Sequence, residues 1–313
     1  MQILVTGGAG FIGSHIVDAY LQEGHQVVVV DNLTTGKKSN VHQAAILYPI
    51  DICSFKELEV VFQKHTFDVV NHHAAQINVR RSIEKPIFDA EINIIGSLNL
   101  FELCRKYGVK KCIFASSGGA IYGTPKQIPV DENAITKPLS PYGIAKLSVE
   151  QYLDYYYQVW NLERVILRYG NVYGPRQDPQ GEAGVISIFC NNILRGDPCV
   201  VFGDGWKTRD YVSVHDVASA NLLALYSSAD IYNIGTGLET SVNQLIDMLQ
   251  KITLQNISIT YDKDRKGEIE RIALLPKKAN DLLGWKTTIS LYEGIEEVFN
   301  WYQQKKTRDG NRK

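Results

Sequence analysis

Residues 5–15, "VTGGAGFIGSH", decide the fold. They follow the apolar run "ILV" at 3–5 and lead into a helical pattern over 11–23. Gly8, Gly10 and Gly13 satisfy G-x-G-x-x-G, and Gly7, Gly10 and Gly13 satisfy G-x-x-G-x-x-G. Both spacings meet one physical need. Glycines allow the tight turn, let backbone approach a pyrophosphate, and let the helix pack close to the sheet. The helix N-terminus behind them offers unpaired N–H groups and partial positive charge. In this setting of strand, loop and helix the pattern points to a dinucleotide.

Working outward, the next apolar run, "QVVVVD", ends at Asp31, 18 residues beyond Gly13. A carboxylate there accepts from ribose hydroxyls and repels a 2′-phosphate, so it predicts NAD rather than NADP. Asp51 ends the third run, "AILYPID", within reach of the adenine edge. Apolar runs and helical patterns keep alternating through "FDVVNHHAA", a long pattern over about 82–107, "KCIFASS", a pattern over 142–160, and "RVILRYG". Such alternation means parallel strands joined by helical crossovers. Runs that are apolar throughout suit a sheet covered on both faces.

The expected class is α/β: a Rossmann-type doubly wound parallel sheet with a smaller, interleaved C-terminal α/β domain for substrate. Residues 213–235 read as helix then strand and return to the main sheet. The first domain is therefore expected over 1–170 plus about 212–236, and the second over about 171–211 plus 237–305. Residues 306–313 are expected to be a disordered tail.

The composition excludes several functions. Of 313 residues, 44% are hydrophobic and 21% charged, which is ordinary for a folded globular protein. A net charge of −1 provides no basic field for nucleic acid or an anionic membrane. An anionic ligand must be held by local donors instead. No apolar run is long enough to span a bilayer, and the N-terminus shows no basic region or cleavage site of a leader. The five cysteines lack C-x-x-C spacing and read as small buried hydrophobes of a reducing compartment. The expectation is a cytoplasmic protein without metal.

The stretch "SPYGIAK" at 140–146 places Tyr142 and Lys146 four apart, on one helix face. For a phenol to act as a base near neutrality it needs a shift of about 3 units, or about 4 kcal/mol. An ammonium about 4 Å away at an effective dielectric of about 20 supplies about that much. Lys146 is therefore expected to make Tyr142 acidic beneath a bound cofactor and substrate. Ser116 and Ser117 end the strand "KCIFASS", at the edge where open parallel sheets bind ligands. Spacing to Tyr142 favours Ser117 as the functional hydroxyl.

"TGGAGFIG", Asp31-Asn32, "HHAA" at 72–75, "SSGGAIYG" at 116–123, "YGIAK" at 142–146, "LRYGNVYGPRQ" at 167–177 and "RDYVSVHDVA" at 209–218 occur in that order. Across nearly the whole chain they resemble the extended short-chain dehydrogenase/reductase family, in its group of nucleotide-sugar epimerases of the UDP-glucose 4-epimerase type. The resemblance implies tightly held NAD and a UDP-hexose substrate, epimerised at carbon 4 through a transient 4-keto sugar. It implies Ser117, Tyr142 and Lys146 as catalytic residues. Around the dinucleotide it implies Gly7, Gly10, Phe11, Ile12, Gly13, Asp31, Asn32, Asp51, Ile52, Ala74, Ala75, Tyr142, Lys146 and Tyr169. On the substrate it implies Ser117, Tyr142, Asn171, Arg209, Arg265 and Glu268, the two arginines gripping the diphosphate as fork-shaped donors do. Two positions depart from the family: His73 stands where an apolar residue is usual, and Glu268 where Asp is usual.

Related dehydratases and decarboxylases carry an acid just after the catalytic serine or threonine, whereas this chain has "GGAI" at 118–121. That favours epimerisation, with dehydratase, decarboxylase, reductase or UDP-uronate 4-epimerase activity as the alternatives. The 142–160 pattern is apolar almost all round, from Ile144 to Trp160. A helix of that kind is covered on more than one side, which predicts a homodimer through it and the 82–107 pattern.

Overall fold

A computed structural model gives the fold; it describes residues 1–179, 184–264 and 269–310, the last three of these by backbone alone. Six strands alternate with helices in the first half: β1 (Gln2–Thr6), β2 (Gln26–Val30), β3 (Ile46–Tyr48), β4 (Val69–His72), β5 (Lys111–Ser117) and β6 (Glu163–Tyr169). A later strand, β11 (Asp230–Ile234), returns to pair with β6. The seven lie in the order β3-β2-β1-β4-β5-β6-β11, and each pairing is parallel.

The apolar runs arise because each strand feeds two cores. Ile3 and Val5 face α1 (Phe11–Gln22) and α9 (Val214–Ala224), packing with Ile16, Val17, Tyr20 and Val217. Leu4 faces the opposite side, where α2 (Phe55–Lys64), α5 (Gly96–Tyr107) and α7 (Pro141–Trp160) contribute Leu58, Phe101, Val149 and Leu153. With period-2 alternation and helices on both faces, neither set of positions is left to solvent.

The expected helix over about 82–107 is divided. Asn78 caps α3 (Val79–Glu84), accepting from the Arg81 amide. Pro86, which lacks an N–H to continue that helix, restarts it as α4 (Pro86–Ala90). A π turn over Glu91–Ile95 leads into α5. The helix α7 starts as its sequence dictates: Ser140 accepts from the Gly143 amide and Pro141 takes the first turn.

Three small pairings lie outside the main sheet. β7 (Asn171–Tyr173) runs parallel to β10 (Tyr211–Ser213), and β8 (Cys199–Phe202) parallel to β13 (Ile259–Asp262). β9 (Thr208–Arg209) is antiparallel to β12 (Thr240–Ser241). Their core joins Ile186 and Phe189 of α8 (Val185–Arg195), Leu245 and Leu249 of α10 (Val242–Thr253), and Ile295, Val298 and Phe299 of α12 (Leu291–Gly310). Two short helices, α6 (Gly118–Ile121) and α11 (Lys277–Leu283), complete the set.

The tail expected over 306–313 lies partly within the described residues. Residues 306–310 continue α12, with the Lys306 ammonium donating to the Leu194 carbonyl at 2.6 Å and the Thr307 hydroxyl to Gln303. Residues 311–313 lie outside the described residues. Among the described residues, no helix is long and apolar enough to cross a membrane. All five thiols are free, and no His/Cys/Asp/Glu cluster among the described residues suits a metal.

Candidate active site

The C-terminal edge of the sheet gathers most of the candidate residues. Gly7, at φ +70°, turns the chain out of β1, where a Cβ would lie 2.7 Å from the Ala74 amide nitrogen. A Cβ at Gly13 would overlap the Gly7 carbonyl oxygen, to which the Gly10 amide donates at 3.0 Å. Gly10 then precedes Phe11 and Ile12 in the first turn of α1. Gly8 serves packing instead, since a Cβ there would lie 2.8 Å from a Val29 methyl. Backbone crowds this cradle where side chains would otherwise stand, leaving the N-terminus of α1 facing a ligand. That is the fit a dinucleotide pyrophosphate requires.

Asp31 is buried at the end of β2 and accepts from the Ala9 amide at 3.0 Å and the Leu33 amide at 2.9 Å. Burial pushes its carboxyl up, and those two amides oppose the shift. Asn32 donates to Asp51 at 2.8 Å, and the Cys53 amide donates to the other Asp51 oxygen. Burial alone would raise Asp51, but these bonds outweigh it and hold the carboxyl below its ordinary value. Ile52 is buried where a Cβ on Gly96 would touch it. Thr6 Oγ1 accepts from the amides of His73 and Ala74, which sets Ala74 and Ala75 beside the glycine turn.

His72 is a fully bonded structural residue. Ser97 donates to the Asn93 carbonyl and so accepts from His72 Nε2, while Thr6 Oγ1 meets Nδ1 at 2.7 Å. Burial holds its imidazole neutral, well below its ordinary pKa. His73 stacks on Tyr169, with Nε2 3.0 Å from the phenol oxygen. The Tyr169 hydroxyl also accepts from Asn221 Nδ2 at 2.8 Å, so its polar end is bound within the protein.

Ser117 ends β5 directly opposite Tyr169. Tyr142 is anchored through its amide to Ser82 Oγ at 3.2 Å, and the Ser117 hydroxyl stands near enough to its phenol to favour the ionised form. Lys146 is buried, donates to the Ala115 carbonyl at 2.8 Å, and lies 4.8 Å from the Phe114 ring centre. Asn171 starts β7 and, with Ser117, borders the open side of Gly119. Ser117, Tyr142, Lys146 and Asn171 are thus brought to one end of the sheet. Ser116 turns the other way and donates to Glu150 at 2.5 Å.

The acidity expected of Tyr142 belongs to the loaded site, and the protein alone sets its starting point. Burial pushes the phenol up to about 12; the Ser117 hydroxyl lowers it and the Asp89 carboxylate raises it. The Lys146 ammonium lies 5.9 Å from the tyrosine ring centre. Burial also lowers Lys146 itself, to about 8, against the raising influence of Asp89 and Glu150. The pair gives a positioned phenol beside a readily titrated amine, and a further positive charge must come from a ligand.

Among the small strand pairings, Arg209 is half-buried in β9 and donates to the Thr208 carbonyl at 2.8 Å. Beside it, the buried Asp210 carboxylate accepts from Thr236 N and Oγ1, Gly237 N and Leu274 N. Asp210 so fastens the loop after β11 to the chain entering α11. Arg265 and Glu268 lie outside the described residues.

Two features escaped the sequence reading. Glu150 and Arg168 form a buried ion pair at 2.6 Å beneath Ser116. An arginine inside the apolar run "RVILRYG" was its visible signal. Asp89, Gln76 and Asn93 form a buried polar cluster where α4 and the π turn meet α7. Nothing in the helical pattern of 82–107 marks Asp89 as different from a surface acid.

The sequence profile of the NAD dependent epimerase/dehydratase family matches residues 3–235. The chain belongs to that family. The family resemblance extends to individual relatives over nearly full length. A protein of Methanocaldococcus jannaschii with a provisional UDP-glucose 4-epimerase name is 52% identical over 301 residues, covering 96% of this chain and 98% of its own. The UDP-glucose 4-epimerase of Thermotoga maritima, solved with UDP-glucose, has a TM-score of 0.96 at 48% identity and covers 97% of this chain and 99% of its own. That of Thermus thermophilus, solved with NAD, has a TM-score of 0.94 at 43% identity, with the same coverages.

Proposed function

We propose that this family member interconverts the 4-epimers of a UDP-hexose of the UDP-glucose/UDP-galactose type, with NAD resident in the glycine cradle. One observation carries the reading: Tyr142, Ser117 and Lys146 meet at the sheet edge, and the following turn, Gly118–Ile121, holds no ionisable side chain. Elimination or decarboxylation needs a further acid or base there; removal and return of hydride at one carbon does not. UDP-sugar and NAD in the two solved relatives support the same reading.

Gly7, Gly10, Phe11, Ile12 and Gly13 hold the pyrophosphate. Asp31, Asn32, Asp51, Ile52, Ala74, Ala75 and Tyr169 enclose the rest of the dinucleotide. Bound NAD supplies the reversible hydride acceptor and the positive ring that the Tyr142 phenol lacks in the protein alone. Tyr142 takes the proton of the sugar 4-hydroxyl and gives it back. Ser117 hydrogen-bonds the 4-oxygen and Tyr142 together, and Lys146 keeps a positive charge beside them. Asn171 contacts the sugar, Arg209 and Arg265 grip the diphosphate, and Glu268 lies against the nucleoside.

The division of labour follows the chain: 1–170 with 212–236 for cofactor, 171–211 with 237–305 for the nucleotide sugar. The free thiols suit work in the cytoplasm. Ile144, Tyr152, Tyr155, Val159 and Trp160 of α7, and Ile83, Ile87 and Ile95 beside them, are exposed on the single chain. An apolar face of this extent is covered by a second copy, giving a two-fold dimer. Light scattering at micromolar protein should return twice the monomer mass; a monomer mass removes the dimer.

Tyr142→Phe tests the chemistry. With UDP-galactose as substrate, loss of the phenolic oxygen should cost at least about 100-fold in kcat, the lower end of general acid–base contributions. Activity within about tenfold of wild type would remove Tyr142 from the reaction.

A further inference from the structure

We propose that Asp89 is a positioning residue for this site, its half-satisfied buried carboxylate keeping the Lys146 ammonium charged beside Tyr142. The proposal rests on the epimerase reading for its consequence, but not for its direct test.

Asp89 is 1% exposed, as enclosed as any acid among the described residues. One oxygen accepts from Gln76 Nε2 at 2.8 Å and Asn93 Nδ2 at 3.0 Å. The other, Oδ2, is buried with no hydrogen-bond partner among the described residues. Both donors are neutral amides, fixed in turn by the backbone: the Gln76 amide donates to Asn93 Oδ1, and Asn93 Nδ2 donates to the Gln76 carbonyl. A carboxyl held in this way is oriented by neutral donors and has no fixed cation bonded to it among the described residues. A buried polar oxygen without a partner is costly, and a nearby cation would offset that cost.

Lys146 is that cation. The α4 helix and the π turn pack on α7; Ser82 before them receives the Tyr142 amide and Glu102 after them accepts from Tyr156, so they lie along α7 between those two positions, where Lys146 stands. Among the acids acting on Lys146, Asp89 has the larger influence and Glu150 the smaller. Glu150, one turn along α7, is already matched by Arg168 of β6. From β4, His72 and His73 are both neutral at ordinary pH, buried and pressed further down by Lys146 itself. On α3, the Arg81 guanidinium is stacked on Phe88 at 4.2 Å. The remaining fixed partner of Lys146 is the uncharged Ala115 carbonyl.

The sign follows directly. Burial draws Lys146 down to about 8, and Asp89 opposes the fall. Without that carboxylate the amine loses its proton at lower pH. Asp89 also raises the Tyr142 phenol, so the same change makes the phenol easier to ionise. Both limbs of a bell-shaped activity profile should therefore move toward acid.

The experiment is a titration of the Lys146 Nζ by nitrogen NMR in the full chain, for wild type and Asp89→Asn, followed by kcat against pH with UDP-galactose. The amide can still accept from Gln76 and Asn93. The proposal expects the Lys146 midpoint to fall by about one pH unit, the scale of one charge at about 10 Å and an effective dielectric of about 20. It also expects both limbs to shift with it and the melting temperature to hold or rise. A structural acid would give the opposite pattern: a lowered melting temperature and an unmoved midpoint. Asp89→Ser, which leaves room for a water, serves if the amide is not accommodated, and must move the midpoint the same way. A Lys146 midpoint unchanged in a folded variant overturns the proposal. Absence of epimerase activity in the wild type would instead overturn the functional reading and leave the titration standing.

Discussion

Two buried carboxylates flank Lys146, and their surroundings differ. Glu150 has both oxygens engaged by Arg168, one of them shared with Ser116. Asp89 has one oxygen engaged by uncharged amides and one with no partner among the described residues. The first is a strut in which opposite charges cancel and tie α7 to β5 and β6. The second keeps its field. Burial alone therefore says little about what an acid does; the charge of what satisfies it does the sorting.

The largest effect that could break this comparison is on stability. Glu150→Gln leaves the Arg168 guanidinium buried without its counter-charge and should cost about 3–5 kcal/mol in denaturant unfolding. A cost under about 1 kcal/mol would show that Arg168 is satisfied elsewhere, by Tyr122 and the Glu132 carbonyl, which it also reaches. Next in size, Ser116→Ala removes one hydrogen bond to a charged group, about 1.5–3 kcal/mol, and should leave kcat unchanged because Ser116 faces away from Tyr142. Asp89→Asn should change unfolding free energy by less than about 1 kcal/mol while moving the activity profile, the reverse of Glu150→Gln. The smallest effect belongs to Lys37→Ala. Its bridge to Asp178 at 2.6 Å is 46% and 38% exposed, and an exposed pair contributes about 0–1 kcal/mol, less at high salt.

How much of this could be read from the sequence depended on what forces each residue. The glycine loop was legible because backbone contacts leave no room for a side chain at Gly7 or Gly13. The seven-strand sheet was legible because two apolar faces leave an uninterrupted run. The start of α7 was legible in Ser140 and Pro141, which gave Tyr142 and Lys146 their common face. The division of the 82–107 helix turned on Pro86 and a π turn that periodicity does not reveal. The common face of Tyr142 and Lys146 was legible in their spacing, but the burial that pushes the phenol up and the amine down was not, because it comes from the elements packed around α7. Asp89 was invisible because its distinction lies in what faces it across α4 and α7, not in its own neighbours along the chain.

The small strand pairings were read less fully for a related reason. Arg209 sits in a two-residue strand, and its setting comes from Asp210 fastening segments some 26 and 64 residues away in sequence. No local pattern encodes that arrangement. The glycine loop and main sheet are written in short-range rules, and the surroundings of Arg209 in long-range ties.

The central claim is that the Tyr142 phenol becomes a base only when the site is loaded. Its ionisation can be followed by ultraviolet difference titration of the full chain, with Tyr142→Phe subtracted to remove the other tyrosines, before and after addition of NAD. The account predicts a midpoint near 12 in the protein alone and a clear fall once NAD is bound. The same midpoint in both states would contradict it.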